Sequence, residues 1–203
     1  MKIRGVDEVI VATSVLSKDD EVENWCEEHG VTCYRGSEED VLDRYVQAAK
    51  PYEPDYVMRV TADCPFVDFA MATEIVELMG HERVDIIHLE GKLPRGLAVE
   101  LISYEALVYI HEHGQEPRHR EHVTYYAYEN NEEFRHVVYQ VPQNRLYPQL
   151  RITLDTVEDY ALCSAVANHF ENELVPSEEV VKFLLAHPEI AQMNAHIEQK
   201  PVV

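Results

Sequence analysis

Val31 to Asp68 runs VTCYRGSEEDVLDRYVQAAKPYEPDYVMRVTADCPFVD, and this stretch decides the fold. VTCY, Val31 to Tyr34, is a short strand signal. Ser37 then stands three residues before Asp40 in a capping-box-like arrangement. It opens a helix that extends to about Lys50, with Val41, Leu42, Tyr45 and Val46 as its apolar stripe. Tyr56 to Val60 is strand again. A strand, a helix and a second strand at this spacing form one β-α-β unit, whose strands are expected to lie parallel.

The same alternation continues outward. Upstream, VDEVIVAT (Val6 to Thr13) is a strand, and Asp19 to His29 a helix with Val22, Trp25 and Cys26 on one face, stopped by Gly30. Downstream, Asp68 to Met79 is a helix, Asp85 to His88 and Leu97 to Leu101 are strands, and Tyr104 to His113 and Glu121 to Asn130 are helices. Arg135 to Val141 is a strand. Leu150 to Leu154 is strand-like and leads into a helix capped by Thr156. Ser177 to His187 is a last helix ended by Pro188, followed by a polar tail. The pattern predicts an α/β fold with a mostly parallel sheet covered on both faces. From about Leu89 to Gln149 the strict alternation fails, so an antiparallel insertion or a dimerisation arm is expected there. Residues 1–203 are expected to form a single domain.

Composition narrows the function. Hydrophobic residues make up 46% and charged residues 27%, as in folded globular proteins. Acids outnumber bases 38 to 17, a formal charge of −21, which argues against nucleic acid as a partner because that binding is driven by Lys and Arg. No apolar run reaches the roughly 18 residues of a membrane span, and MKIRGVDEV has no signal-peptide core, so cytoplasmic residence is expected. Cys26, Cys33, Cys64 and Cys163 are scattered and are expected to be reduced thiols.

In an open parallel sheet, ligands bind beyond the carboxyl ends of the strands. Three loops lie there: YRGSEEDVLDRY, MRVTADCPFVD and RITLDTVED. Asp63 and Asp155 each sit just after a strand and before a helix. Two such carboxylates can converge on a magnesium ion, which takes one or two protein carboxylates and keeps several waters. On spacing alone, an Asx-turn at Asp63 and an N-cap at Asp155 are the commoner roles for such residues. His111, His113, His119 and His122 are close in sequence, but no thiol or carboxylate stands at a matching ligand distance, and the charged neighbours argue for a solvated segment rather than zinc. No P-loop, G-x-G-x-x-G, G-x-S-x-G or Asp-x-Asp motif is present.

The loops in this order resemble the cytidylyltransferase family that includes the spore coat polysaccharide biosynthesis proteins, with the CMP-sialate and CMP-KDO synthetases as more distant relatives. The matching stretches are VDEVIVATS, YRGSEEDVLDRY, RVTADCPFVD, REHVTYYAYEN from Arg120 to Asn130, and LDTVED, between about Val6 and Phe170. The resemblance implies a Rossmann-like nucleotidyltransferase fold and transfer of CMP from CTP to a sugar acid or related acceptor, with release of pyrophosphate. It also implies that Asp63 and Asp155 hold Mg2+ and that Arg35, Ser37, Asp43, Arg44 and Arg59 face the nucleotide. Arg120 and His122 would face the acceptor's anionic group. Related enzymes are commonly dimers, and Tyr125, Tyr126 and Tyr128 would serve either a homodimer contact or packing of their helix onto the sheet.

Two departures accompany the resemblance. Relatives begin with a strand and a loop of the form Q-A-R-x-x-S-x-R-L-P-G-K, whereas MKIRGVDEV begins later, so the first strand and its triphosphate loop are expected to be missing. In LPRGLAVELIS, Ala98 stands where relatives carry an Asp, while Gly96 and Glu100 are kept. The competing readings are a non-catalytic sugar- or protein-binding derivative and a glycosyltransferase using a sugar nucleotide; fold alone would not separate the latter.

Overall fold

The computed structural model describes residues 3–172 and 174–198. Its first unit is β1 (Ile10–Ser14), α1 (Asp20–His29) and β2 (Thr32–Gly36). Helix α1 carries Asp20, Glu21 and Glu23 in its first turn, where the helix dipole favours acids, and ends at Gly30 with φ 64°. Strands β1 and β2 pair in parallel, Ile10 opposite Thr32 through Ser14 opposite Gly36.

Next come α2 (Val41–Ala49), β3 (Tyr56–Arg59), α3 (Phe69–Glu82), β4 (Ile86–Glu90) and β5 (Glu100–Ser103). Asp40, rather than Ser37, is the N-cap of α2: its carboxylate accepts the Asp43 amide at 2.9 Å, while Ser37 Oγ accepts the Asp40 amide at 3.0 Å. Three helices follow: α4 (Tyr104–His113), α5 (Pro117–Glu121) and α6 (Tyr125–Glu129). The single helix expected over Glu121 to Asn130 is thus broken, and the break falls at Val123, which has φ 46°. A β-branched residue rarely adopts that conformation and cannot continue a helix in it. Strand β6 (His136–Gln140), then α7 (Val157–His169), α8 (Ser177–Ala186) and α9 (Pro188–Ala191) complete the order.

Strands β3, β5, β4 and β6 form one sheet in that order, and β1 and β2 a second. β5 runs antiparallel to both β3 and β4, while β4 and β6 are parallel. Apart from β5, the strands within each sheet therefore share one direction, and the reversed strand falls inside the irregular mid-chain stretch. Successive side chains point to opposite faces. Ile86 and Ile102 pack with Leu42, Val46, Leu107 and Ile110 of α2 and α4, whereas Ile87 and Leu101 pack with Met71, Ile75 and Met79 of α3. A third core joins α7 and α8 through Leu162, Val166, Val180 and Leu184.

The strand expected at Leu150 to Leu154 is absent. Only Arg95 and Arg151 form an isolated parallel bridge there. The Arg151 amide region is instead stitched to residues 95–97: the Arg95 amide donates to Leu150 O at 3.0 Å and the Ile152 amide to Arg95 O at 2.8 Å. The Asp68 amide donates to Leu97 O at 3.0 Å, so one short segment ties both acidic loops. Gly96 permits this approach: its φ is +94°, and a Cβ there would lie 2.2 Å from Ile152 O.

Candidate active site

The connection after β3 carries Asp63 and the connection before α7 carries Asp155. Thr153 joins them, its hydroxyl donating to Asp63 O at 3.1 Å and lying 3.4 Å from Asp63 Oδ2. The same hydroxyl lies two residues before Asp155, so the two acidic connections are drawn side by side. Burial pulls the Asp63 pKa upward, but hydrogen bonds from Thr61 and Cys64 outweigh it and hold the carboxyl below the usual carboxylate range.

Asp155 is fixed from behind. Arg151 Nη2 donates to Asp155 Oδ2 at 2.6 Å, and Arg151 also engages Asp159 through Nε at 2.9 Å and Nη2 at 2.9 Å. Asp159 is 0% exposed. Its carboxylate accepts the amides of Asp155 and Thr156, each at 3.1 Å, and Asn194 Nδ2 at 2.7 Å. Thr156 Oγ1 accepts the Asp159 amide in return, completing a capping box. Burial pushes the Asp159 pKa up, yet Arg151 and Asn194 overcome it and bring it to about 2. The sequence showed Thr156 as the cap. Asp159 was missed; a T-x-x-D spacing could have found it as a capping residue, but its burial depends on Asn194, 35 residues away.

The residues expected to face the nucleotide divide into four groups. Arg35 is built into the scaffold: Nε donates to Ser14 O at 2.9 Å, Nη2 to Leu16 O at 2.8 Å, and Nη1 meets Glu23 and Asp20, each at 2.7 Å. Ser37 O accepts Arg44 Nη1 at 2.9 Å, while Arg44 Nε is buried without a partner. Asp43 accepts His111 Nε2 at 2.9 Å and Gln47 at 3.1 Å. Arg59, at the end of β3, pairs with Glu100 at 2.6 Å and feels the charge of Asp63.

Arg120 and His122 are not brought together on one target. Arg120 Nη2 and Nε grip the Asp40 carboxylate at 2.5 Å and 2.9 Å, and Nη1 donates to His111 O at 2.9 Å. Against the pull of burial, this pairing lowers the Asp40 pKa. His122 lies at the end of α5 with its ring 6.2 Å from that of Tyr125. His119 is buried against Glu129 at 2.8 Å and His113 meets Tyr109 O at 2.8 Å. Among the described residues, no group of three or more His, Cys, Asp or Glu side chains is placed to hold a metal ion. No described helix is long and apolar enough to cross a membrane.

Residues 1–200 match the cytidylyltransferase family. The chain belongs to that family. Among its relatives, an uncharacterized protein of Methanocaldococcus jannaschii is 32% identical over 199 residues, covering 98% of this chain and 82% of its own. The spore coat polysaccharide biosynthesis protein SpsF of Bacillus subtilis is 30% identical over 187 residues, 91% of this chain and 78% of its own. A cytidylyltransferase from Leptospira borgpetersenii serovar Hardjo-bovis superposes with a TM-score of 0.84 at 27% identity, over 95% of this chain and 81% of that one. A CMP:2-keto-3-deoxy-manno-octonic acid synthetase complexed with CTP shares the fold, with a TM-score of 0.52 and 14% identity over 68% of this chain and 75% of that one. The fold that the sequence predicted is thus the one this chain shares with solved cytidylyltransferases.

Proposed function

We propose that the chain transfers CMP from CTP to a hydroxyl of a sugar acid or related acceptor, in the biosynthesis of a polysaccharide. In that reaction the acceptor oxygen forms a bond to the α-phosphorus and the bond to pyrophosphate breaks. The observation that carries this reading is the Thr153–Asp63 hydrogen bond, which draws the connections bearing Asp63 and Asp155 together on a cytidylyltransferase-family fold. The names of the Bacillus subtilis relative and of the synthetase complexed with CTP support the pathway and the nucleotide.

The donor set fits a hard divalent cation such as Mg2+, since two carboxylates with room for waters are its usual protein ligands. When bound, such an ion would offset charge on the phosphates. The chain's own part is positional. Thr153 orients Asp63, and Arg151, itself held by the buried Asp159, orients Asp155. Arg44 Nε, buried without a partner, is available to donate to a phosphate oxygen. The opposed signs of these groups matter in a chain of charge −21, which otherwise repels a triphosphate.

The test is titration of CTP into the protein with and without magnesium, followed by pyrophosphate release with candidate acceptors. Asp63→Asn and Asp155→Asn are each expected to abolish the magnesium dependence of CTP binding and to lower turnover by on the order of a hundredfold or more. Unchanged magnesium dependence in Asp63→Asn would remove the metal role, and stabilisation by UDP-sugars but not CTP would replace the nucleotide.

A further inference from the structure

The segment that leads into Asp155 has no full ladder to hold it. On one side, Leu150 O and the Ile152 amide bond the backbone of Arg95. The peptide of Arg151, between them, faces the other way. Where a further strand would donate to the Arg151 carbonyl, the side chain of Asn194 does so instead, through Nδ2 at 3.0 Å. The same nitrogen donates to Asp159 Oδ1 at 2.7 Å. One side-chain amide thus bonds both the backbone and the buried carboxylate that stand behind Asp155.

Asn194 is 1% exposed. Its Nδ2 meets two acceptors, which fixes the orientation of the amide. Its Oδ1 is buried without a hydrogen-bond partner, a cost that native interiors rarely carry. Asparagine at this place is therefore accounted for by its two N–H donors and not by a comfortable fit. Helix α9 and the turn after it present the side chain: the Gln192 amide donates to Pro188 O, the Met193 amide to Ile190 O and the Ile197 amide to Asn194 O, each at 3.0 Å. Ile190 and Ala191 pack on the core shared by α7 and α8, and so does Phe66, from the loop that carries Asp63. The tail therefore reaches one acidic loop by side-chain bonds and the other through a common core.

We propose that Asn194 is a positioning residue for Asp155, and that residues 188–194 clasp the loop so that this carboxylate stays aimed for a divalent cation. Asn194 acts at a distance from the ion. It holds Arg151 O directly, and through Asp159 it aligns the Arg151 guanidinium, which donates to Asp155 Oδ2 at 2.6 Å. Partners that orient a metal ligand from behind commonly change metal affinity by about 10–100-fold when they are lost. The assignment rests on the cytidylyltransferase reading, in which Asp63 and Asp155 hold the ion, and adds the carboxy-terminal segment to the parts that build that site.

The experiment measures Mn2+ binding in the presence of CTP by electron paramagnetic resonance, since Mn2+ suits the same oxygen ligands as Mg2+. Amide hydrogen exchange by NMR is recorded alongside it. Asn194→Leu removes both donors at similar volume. It should weaken Mn2+ by about tenfold and speed exchange at the Asp155 and Thr156 amides, which Asp159 accepts, by about tenfold. Asn194→Asp keeps the shape but sets a second carboxylate against Asp159, and should do at least as much. Ile110→Val, which removes one methyl group from a different core, should change both readouts by less than about twofold. Unchanged Mn2+ affinity or unchanged exchange in Asn194→Leu, or equal losses in Ile110→Val, would overturn the clasp. A wild type that binds no Mn2+ would instead sink the metal reading, and the exchange rates at Asp155 and Thr156 then decide the clasp by themselves.

Discussion

Asp159 shows how a residue outside the candidate metal pair controls it. Its folded pKa of about 2 lies below the ordinary carboxylate value of 3.8. A depressed carboxylate stabilises the fold above its unfolded pKa and loses that contribution as pH falls toward the folded value. The window is thus about pH 4 down to about 2, and the linkage amounts to about 2–3 kcal/mol. Acid unfolding followed by circular dichroism should show that loss in the wild type and a flatter profile in Asp159→Asn, which is also less stable at pH 7. An identical acid profile in the variant would mean that the Arg151 contact contributes nothing. At this scale the sequence was half legible. Strand-end position and family resemblance together indicated Asp63 and Asp155. The partner of Arg120 was not indicated: Asp40 lies 80 residues away, and no local spacing records that a basic residue is bound to a helix cap instead of a ligand.

Elements were easiest to read where local chemistry and packing agree. The β1-α1-β2 unit has β-branched strands, acids at the helix start and glycine at its end, and it forms as expected. Residues 150–154 carry equal strand propensity but receive only one bridge, because the segment meets residues 95–97 rather than a full ladder. The break at Val123 has no composition signal, since positive φ is normally the province of glycine and asparagine. Gly96 is the element-scale control point. Gly96→Ala places a methyl group 2.2 Å from Ile152 O in a backbone region unsuited to L side chains. The expected cost is about 3 kcal/mol or more, read as a lowered denaturation midpoint. Because the same crossing ties Asp68 and Ile152, magnesium-dependent CTP binding should weaken in parallel. A variant of wild-type stability would show that the crossing is free to move apart.

On the scale of the whole molecule, alternation of strands and helices predicted the α/β class, and its failure in mid-chain predicted an antiparallel insertion or a dimerisation arm where the reversed β5 lies. Grouping into two sheets was not predictable, because pairing between strands is set by neighbours distant in sequence. Among the described residues, β1 has a ladder partner only on the β2 side and β3 only on the β5 side, whereas β4 and β5 are flanked on both. Amide hydrogen exchange should therefore be slowest at Ile86, Ile87 and Ile102. It should be faster by at least about tenfold along the outer edges of Ile10–Ser14 and Tyr56–Arg59. Equal protection in all four strands would show that β1 and β3 are covered in solution.

Helix α2 touches both groups of strands, burying Leu42 and Val46 against Ile86 and Ile102 while its cap is gripped by Arg120. Among the described residues no peptide ladder crosses from β1 to β3, so side chains along one helix hold the two sheets together. Such a joint resists shear less than a continuous sheet does. Loosening the α2 packing would therefore let the two sheets shift against each other at less cost than breaking a ladder within either sheet.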